Sequence, residues 1–166
     1  MDAAITQLET LYREIGPALL AYFRRHRALA GAAEDLLQDT FVRAFRGWER
    51  LAHAASPRAY LFGIARHVSL DALRAQRPMV ELREEKAAAP APEPEDLRLE
   101  PMRVAIAALP EAHRETLLLK LQQELSYEEI ADVLDLPVGT VRSRLHHAVN
   151  QLRATLNPPS TKGSPS

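Results

Sequence analysis

The 166-residue sequence contains no cysteine. Disulfides, thiolate zinc sites and cysteine nucleophiles are thereby excluded, and a thiol-free chain suits a reducing compartment such as the cytosol. Net charge is almost absent, since 21 Lys+Arg stand against 22 Asp+Glu for a formal charge of -1. That balance argues against a protein that holds DNA by bulk charge alone. Long hydrophobic runs are missing as well. The run Pro17–Phe23 is seven residues and is followed at once by Arg24-Arg25-His26-Arg27, whereas a membrane span needs about 20 apolar residues. The Met1-Asp2 start with Glu9 also lacks the cationic n-region of a signal peptide. No membrane insertion is expected, and the chain reads as cytoplasmic. There is no glycine-rich phosphate loop, no His-Glu-x-x-His and no nucleophile elbow. The expectation is a protein without catalytic chemistry, cofactor or metal. The adjacent histidines His146 and His147 do not alter this, because neighbours on a helix diverge by about 100° and cannot easily share one ion.

What is present is an ordinary globular composition, 46% hydrophobic and 26% charged. It is unevenly spread. Five prolines fall between Pro78 and Pro101, and the segment from Lys86 to Asp96 offers nothing to bury. Each X-Pro disfavours helix at the residue before it, so 78–100 reads as a semi-extended, Pro-rich acidic linker. The segment 157–166 reads as a disordered tail. Two candidate domains remain, 1–77 and 101–156. Eight of the nine Phe, Tyr and Trp lie before residue 63, and only Tyr127 lies beyond. The second domain must therefore build its core from Leu, Val and Ile.

The near-zero charge resolves along the same division. Residues 1–78 hold 11 Lys+Arg and 8 Asp+Glu, net +3; residues 79–100 hold 3 and 7, net -4; residues 101–157 hold 6 and 7, net -1, and Lys162 follows. Outside the linker, apolar residues recur at helical spacing (Ile5, Leu8, Leu11/Tyr12, Ile15, then Leu19, Tyr22/Phe23), and no strand alternation appears. The fold class expected is all-α, with two small helical domains.

In the first domain, residues 34–51 read as one amphipathic helix. Leu37, Phe41, Ala44/Phe45, Trp48 and Leu51 form its apolar stripe, and Asp35, Asp39, Arg43, Arg46 and Arg50 its polar one. A second helix opens at Ser56-Pro57, a hydroxyl N-cap followed by proline at N1, and runs to the residues before Pro78. Its apolar arc is Leu61, Ile64, Ala65, Val68, Ala72 and Ala75. Arg66, His67, Arg74 and Arg77 form a cationic arc flanked by Tyr60 and Phe62. Cations that meet phosphates beside rings that stack on bases suit single-stranded nucleic acid, although the same residues are also compatible with a solubilised face on an aromatic core.

In the second domain Ser126-Tyr127-Glu128-Glu129 reads as a capping box opening a helix through Leu134. The turn Asp135-Leu136-Pro137 follows, and then a helix from Val138 to about Ala154: a helix-turn-helix. On the last helix Val138, Val141, Leu145, Ala148, Val149 and Leu152 share one side. Thr140, Arg142, Ser143, Arg144, His146, His147, Asn150, Gln151 and Arg153 share the other, with no acid among them. That face suits a major groove, where arginine reads guanine and Asn or Gln reads adenine. Three arginines imply weak binding by this module alone.

Together these residues resemble an extracytoplasmic-function (ECF) sigma factor, the two-domain bacterial transcription initiation subunit. Ala33-Glu-Asp-Leu-Leu-Gln-Asp-Thr-Phe-Val-Arg-Ala-Phe-Arg resembles the family's polymerase-docking segment. The segment from Ser56 to Arg74 resembles its promoter-melting, minus-ten-reading helix. Leu109-Pro110, the segment Leu125 to Leu134 and the segment Pro137 to His146 resemble its minus-thirty-five domain. The resemblance implies a region 2-like helical bundle and a region 4-like helix-turn-helix. It implies docking on core RNA polymerase through Asp35, Leu36, Gln38, Asp39 and Phe41. Minus-ten contact would fall to Arg58, Tyr60, Arg66, His67, Asp71, Arg74 and Arg77, and minus-thirty-five contact to Thr140, Arg142, Ser143, Arg144, His146 and His147. Promoter DNA, core polymerase and an anti-sigma factor are the implied partners. The family usually has Trp where Tyr60 stands, Asn where His67 stands and Gly where Asp135 stands. A free-standing dimeric helix-turn-helix regulator, with the first domain as sensor or dimerisation unit, is the alternative reading.

Overall fold

The computed structural model describes residues 1–80 and 99–159, with side chains through Gln76 and again from Leu99. Residues 81–98 of the expected linker and 160–166 of the expected tail lie outside the described residues. Among those described there are eight α-helices, one short 3-10 turn (Ala30–Ala32) and no strand. They divide into two compact units. One holds α1 (Asp2–Arg25), α2 (Ala33–Arg46), α3 (Trp48–Ala52) and α4 (Pro57–Val80). The other holds α5 (Glu100–Ala107), α6 (Glu111–Gln123), most of α7 (Tyr127–Leu134) and α8 (Val138–Leu156).

The first unit packs α1, α2 and α4 on one another, with α3 against α4. Leu19 and Phe23 of α1, Leu37 and Ala44 of α2, Leu51 of α3, and Leu61, Phe62, Ala65 and Val68 of α4 are buried. Tyr22 meets the Phe62 ring edge-to-face, centroids 5.8 Å apart. The helix expected over 34–51 is interrupted at Gly47. Glycine is a weak helix former, and here bareness has a second use. A Cβ on Gly47 would stand 3.2 Å from the Tyr60 hydroxyl and 3.5 Å from the Arg43 carbonyl. Ser56 caps α4 as the sequence implies, its Oγ accepting from the Ala59 N–H at 3.1 Å. The helix ends later than expected, at Val80 rather than before Pro78. Pro78 has no N–H to give the carbonyl four residues back, so the last turn continues at the cost of one backbone hydrogen bond.

In the second unit α6 and α5 pack on α8. Its buried side chains include Ala105, Leu109, Leu117, Leu119, Leu125, Ile130, Val141, Leu145 and Ala148. This is the aliphatic core that the scarcity of aromatics requires. The capping box is formed in both directions: Glu129 N–H donates to Ser126 Oγ at 3.1 Å, and Ser126 N–H donates to Glu129 Oε1 at 3.0 Å. The turn after α7 places Asp135 in the left-handed region, φ 54°, a conformation short polar side chains tolerate better than most. Ser126→Ala is expected to lower the stability of this unit by about 1 kcal/mol. Urea unfolding followed by far-ultraviolet circular dichroism measures it; an unchanged midpoint would deny the cap its energetic role.

Candidate nucleic-acid and polymerase interfaces

The polar stripe of α2 is positioned by its buried stripe. Leu37, Thr40, Phe41 and Ala44 face the core, and the Thr40 hydroxyl donates to the Leu36 carbonyl at 2.8 Å. Asp35 and Gln38 are thereby turned to solvent, with Leu36 and Asp39 half-buried. Of the two phenylalanines in the helix's apolar stripe, Phe41 is buried as expected and Phe45 is not. Phe41, assigned to docking, is only 7% exposed and packs edge-to-face on Tyr12 with centroids 4.9 Å apart. Phe45, assigned to the core, is 45% exposed. Both line a shallow groove between α1 and α2, shared with Leu8, Tyr12, Gln38 and Val42. Phe41 is its floor and Phe45 its rim, because Phe45 lies at the edge of the arc that α2 buries.

On α4 the exposed arc is narrower than the sequence suggested. Tyr60, His67, Asp71 and Arg74 follow one another at intervals of seven, four and three residues, which stacks them on one face. His67, Asp71 and Arg74 are exposed and Tyr60 half-buried. Phe62 is not beside them. It is wholly buried, and the Arg58 guanidinium lies 5.5 Å from its ring centroid. The base-stacking role weighed for Phe62 is corrected to a core role, since a ring sealed on both faces has none to offer a base. Arg58 is correspondingly occupied over that ring, and Arg66 is half-buried at the side of the arc. The Arg77 side chain lies outside the described side chains.

Sequence reasoning passed over Arg43 as one charge in a stripe. Its Nη1 donates to Asp71 Oδ2 at 3.1 Å, and its Nε and Nη2 donate to Asp39 Oδ1 and Oδ2 at 3.3 and 3.4 Å. Partial burial disfavours its charge, but the hydrogen bonds and charges of Asp71 and Asp39 outweigh that and hold its pKa above the ordinary arginine value. The i,i+4 spacing to Asp39 was legible in the sequence; the pairing with Asp71, 28 residues on, was not.

α8 is anchored by Val141, Leu145 and Ala148. Arg142, Ser143, His146, His147 and Asn150 are exposed, with Thr140 and Arg144 half-buried at the margin. Val149, expected on the buried side, is 37% exposed because it lies at the edge of the buried arc. Arg142 and Lys120 approach the Tyr127 ring, at 5.9 and 5.0 Å from its centroid. The second unit's sole aromatic therefore serves as a platform for cations and not as core. Lys120 also donates to the Leu125 carbonyl at 3.2 Å. His147 stacks on His113 of α6, rings 5.9 Å apart and inclined 11°, while Asn150 Nδ2 and His146 Nε2 are 3.1 Å apart. The His113 Nδ1 atom is buried and has no hydrogen-bond partner among the described residues. Among the described residues no group of three His, Cys, Asp or Glu is placed to hold a metal, and no helix is long and apolar enough to cross a membrane.

Comparison with known proteins covers both units. Residues 11–78 match the Sigma-70 region 2 family, and residues 99–152 match Sigma-70, region 4. The RNA polymerase sigma factor YlaC of Bacillus subtilis (strain 168) is 31% identical over 158 residues, 90% of this chain and 91% of that protein. The ECF RNA polymerase sigma factor SigL of Mycobacterium tuberculosis is 33% identical over 156 residues, 90% of this chain and 88% of that one. Among solved structures, the sigma factor RpoE in complex with the anti-sigma factor NepR from Bartonella quintana aligns with a TM-score of 0.69 at 26% identity, covering 92% of this chain and 98% of that one. CnrH in complex with the cytosolic domain of CnrY aligns at 0.61 and 25% identity, covering 92% and 89%. With both regions matched in order on its two helical units, and with relatives above 30% identity along nine-tenths of its length, the chain belongs to the extracytoplasmic-function (ECF) family of RNA polymerase sigma factors.

Proposed function

We propose that this sigma factor works in the cytoplasm as the promoter-specificity subunit of RNA polymerase, with no catalytic chemistry of its own. In this reading 1–77 is the docking and minus-ten domain, 78–100 the linker, 101–156 the minus-thirty-five domain and 157–166 a tail. Asp35, Leu36, Gln38 and Asp39 present α2 to the core enzyme, with Phe41 as the groove floor beneath them. Tyr60, His67 and Arg74 form the centre of the minus-ten surface, with Asp71 among them as the acid whose charge must be balanced and Arg58, Arg66 and Arg77 at the sides. Thr140, Arg142, Ser143, Arg144, His146 and His147 of α8 read the minus-thirty-five duplex. Strand opening would then draw on binding free energy, as unstacked bases are captured along α4. The likeness to the sigma factor RpoE held in complex with the anti-sigma factor NepR supports an anti-sigma partner as well.

The observation that carries this reading is the gathering of Tyr60, His67 and Arg74 on one exposed arc of the same unit that turns Asp35 and Gln38 outward. Its electrostatics also fit. Three arginines on an acid-free α8 are too few for tight independent binding at physiological salt. A gel-shift therefore tests it. The isolated chain is expected to bind promoter DNA weakly, and added core polymerase to create tight specific binding. Arg144→Ala should weaken minus-thirty-five recognition by holoenzyme about 5- to 100-fold, while core association persists. Tight, specific binding by the chain alone would overturn the sigma reading in favour of a free-standing regulator.

A further inference from the structure

The docking stripe of α2 and the exposed arc of α4 meet at one guanidinium. Arg43 holds Asp71 through Nη1 and Asp39 through Nε and Nη2. On the far side of the same carboxylate, Arg74 Nη1 stands 4.0 Å from Asp71 Oδ1. Asp71 is the sole acid in the exposed arc of α4, one turn from both His67 and Arg74. An acid in that position is a liability for a surface that meets phosphates. Unneutralised, it repels the DNA backbone. Neutralised by its neighbour Arg74, it draws that guanidinium away from the backbone.

We propose that Arg43 is a positioning residue of the minus-ten surface. Reaching across from α2, it takes up the Asp71 carboxylate, so that Arg74 is left to meet a DNA phosphate. Through Asp39 the same side chain ties this arrangement to the docking helix. The inference rests on the promoter-binding reading of α4 given above. Arg43 itself need touch neither polymerase nor DNA. With side-chain exposures of 37% for Arg43 and 53% for Asp71, the pair is too solvated to be chiefly a clamp for the fold. Its consequence is the charge presented by α4.

The test uses holoenzyme reconstituted from full-length chains on a promoter recovered by sequencing holoenzyme-bound DNA. Permanganate reactivity of unpaired thymines reads opening, fluorescence anisotropy reads affinity for core polymerase, and circular dichroism reads helicity. Arg43→Ala is expected to lower opening about three- to tenfold, with helicity kept and core affinity changed by less than about threefold. Adding Asp71→Asn in the Arg43→Ala background is expected to restore most of the lost opening, because the charge that needed neutralising is gone. A purely structural tie between α2 and α4 would gain nothing from that second change. Normal opening by Arg43→Ala, or a double variant as defective as the single one, overturns the proposal. Arg74→Ala separates the two levels of argument. If it opens normally, the minus-ten reading fails and this inference with it; if it is defective while Arg43→Ala opens normally, only the inference fails.

Discussion

Replacing Asp35 and Gln38 together by alanine is expected to abolish co-purification of the chain with core RNA polymerase while leaving its helicity intact. Both side chains are exposed on α2, one turn apart, and the helix is held from its other side by Leu37, Thr40, Phe41 and Ala44. Losing Asp35 removes one favourable charge from the first turn, a cost of about 0.3–1 kcal/mol, and alanine returns some of that as helix propensity. Folding should hardly register the change. Binding should register it strongly, because central interface residues cost about 2 kcal/mol or more each on truncation, and two together amount to about a thousandfold in Kd. Pull-down and anisotropy with core enzyme measure the loss, and circular dichroism controls for folding. Holoenzyme formation at wild-type affinity would remove α2 as the docking element.

Phe62→Ala should do the reverse, leaving the surfaces nominally intact but undermining the unit that carries them. The ring is wholly buried, meets Tyr22 edge-to-face and is roofed by Arg58. Truncating a buried phenylalanine costs about 3–5 kcal/mol, a large part of the 5–15 kcal/mol typical of a small domain. The experiment is well posed because Trp48, the single tryptophan, lies in the first unit. Its fluorescence during urea unfolding therefore reports that unit and not the helix-turn-helix. Tyr60→Ala provides the contrast. Tyr60 is half-buried with its hydroxyl against Gly47, so it should cost less stability while still impairing promoter opening. A Phe62→Ala protein that unfolds at the wild-type urea concentration but fails to open promoters would return the ring to the stacking role that its burial argues against.

These two expectations divide along the line between what sequence pattern reveals and what packing reveals. The all-helical class, both helix caps and the aliphatic character of the second core were legible in the sequence. Each depends on residues within one turn of each other or on bulk composition. The outward direction of Asp35 was legible for the same reason, because a period of 3.6 residues fixes which side chains share a face, whereas Gln38 entered only through the resemblance to the docking segment. The pattern failed at positions on the edge of an arc. Val149 and Phe45 sit where a few tens of degrees separate core from solvent, and neither periodicity nor hydrophobicity resolves that difference. Phe62 was ambiguous for another reason. A ring beside arginines can be read as a base platform or as core, and the packing of Tyr22 from α1 on a fully buried ring decides for core.

By itself, then, the sequence determined the kind of protein this is: two helical modules, an acidic proline-rich segment between their helices, and cations gathered on helix faces despite a net charge of -1. Its statement about which charges act was incomplete, because charge pairing is a matter of distance in space. Arg43 and Asp71 are separated by 28 residues and brought to 3.1 Å only by the packing of α2 on α4. Tyr127 became a cation platform only when Lys120 and Arg142 converged on it from two other helices. Local chemistry follows from neighbours along the chain and so is written in the order of residues. The surface that meets polymerase and promoter depends on neighbours across it, and those the tertiary structure alone supplies.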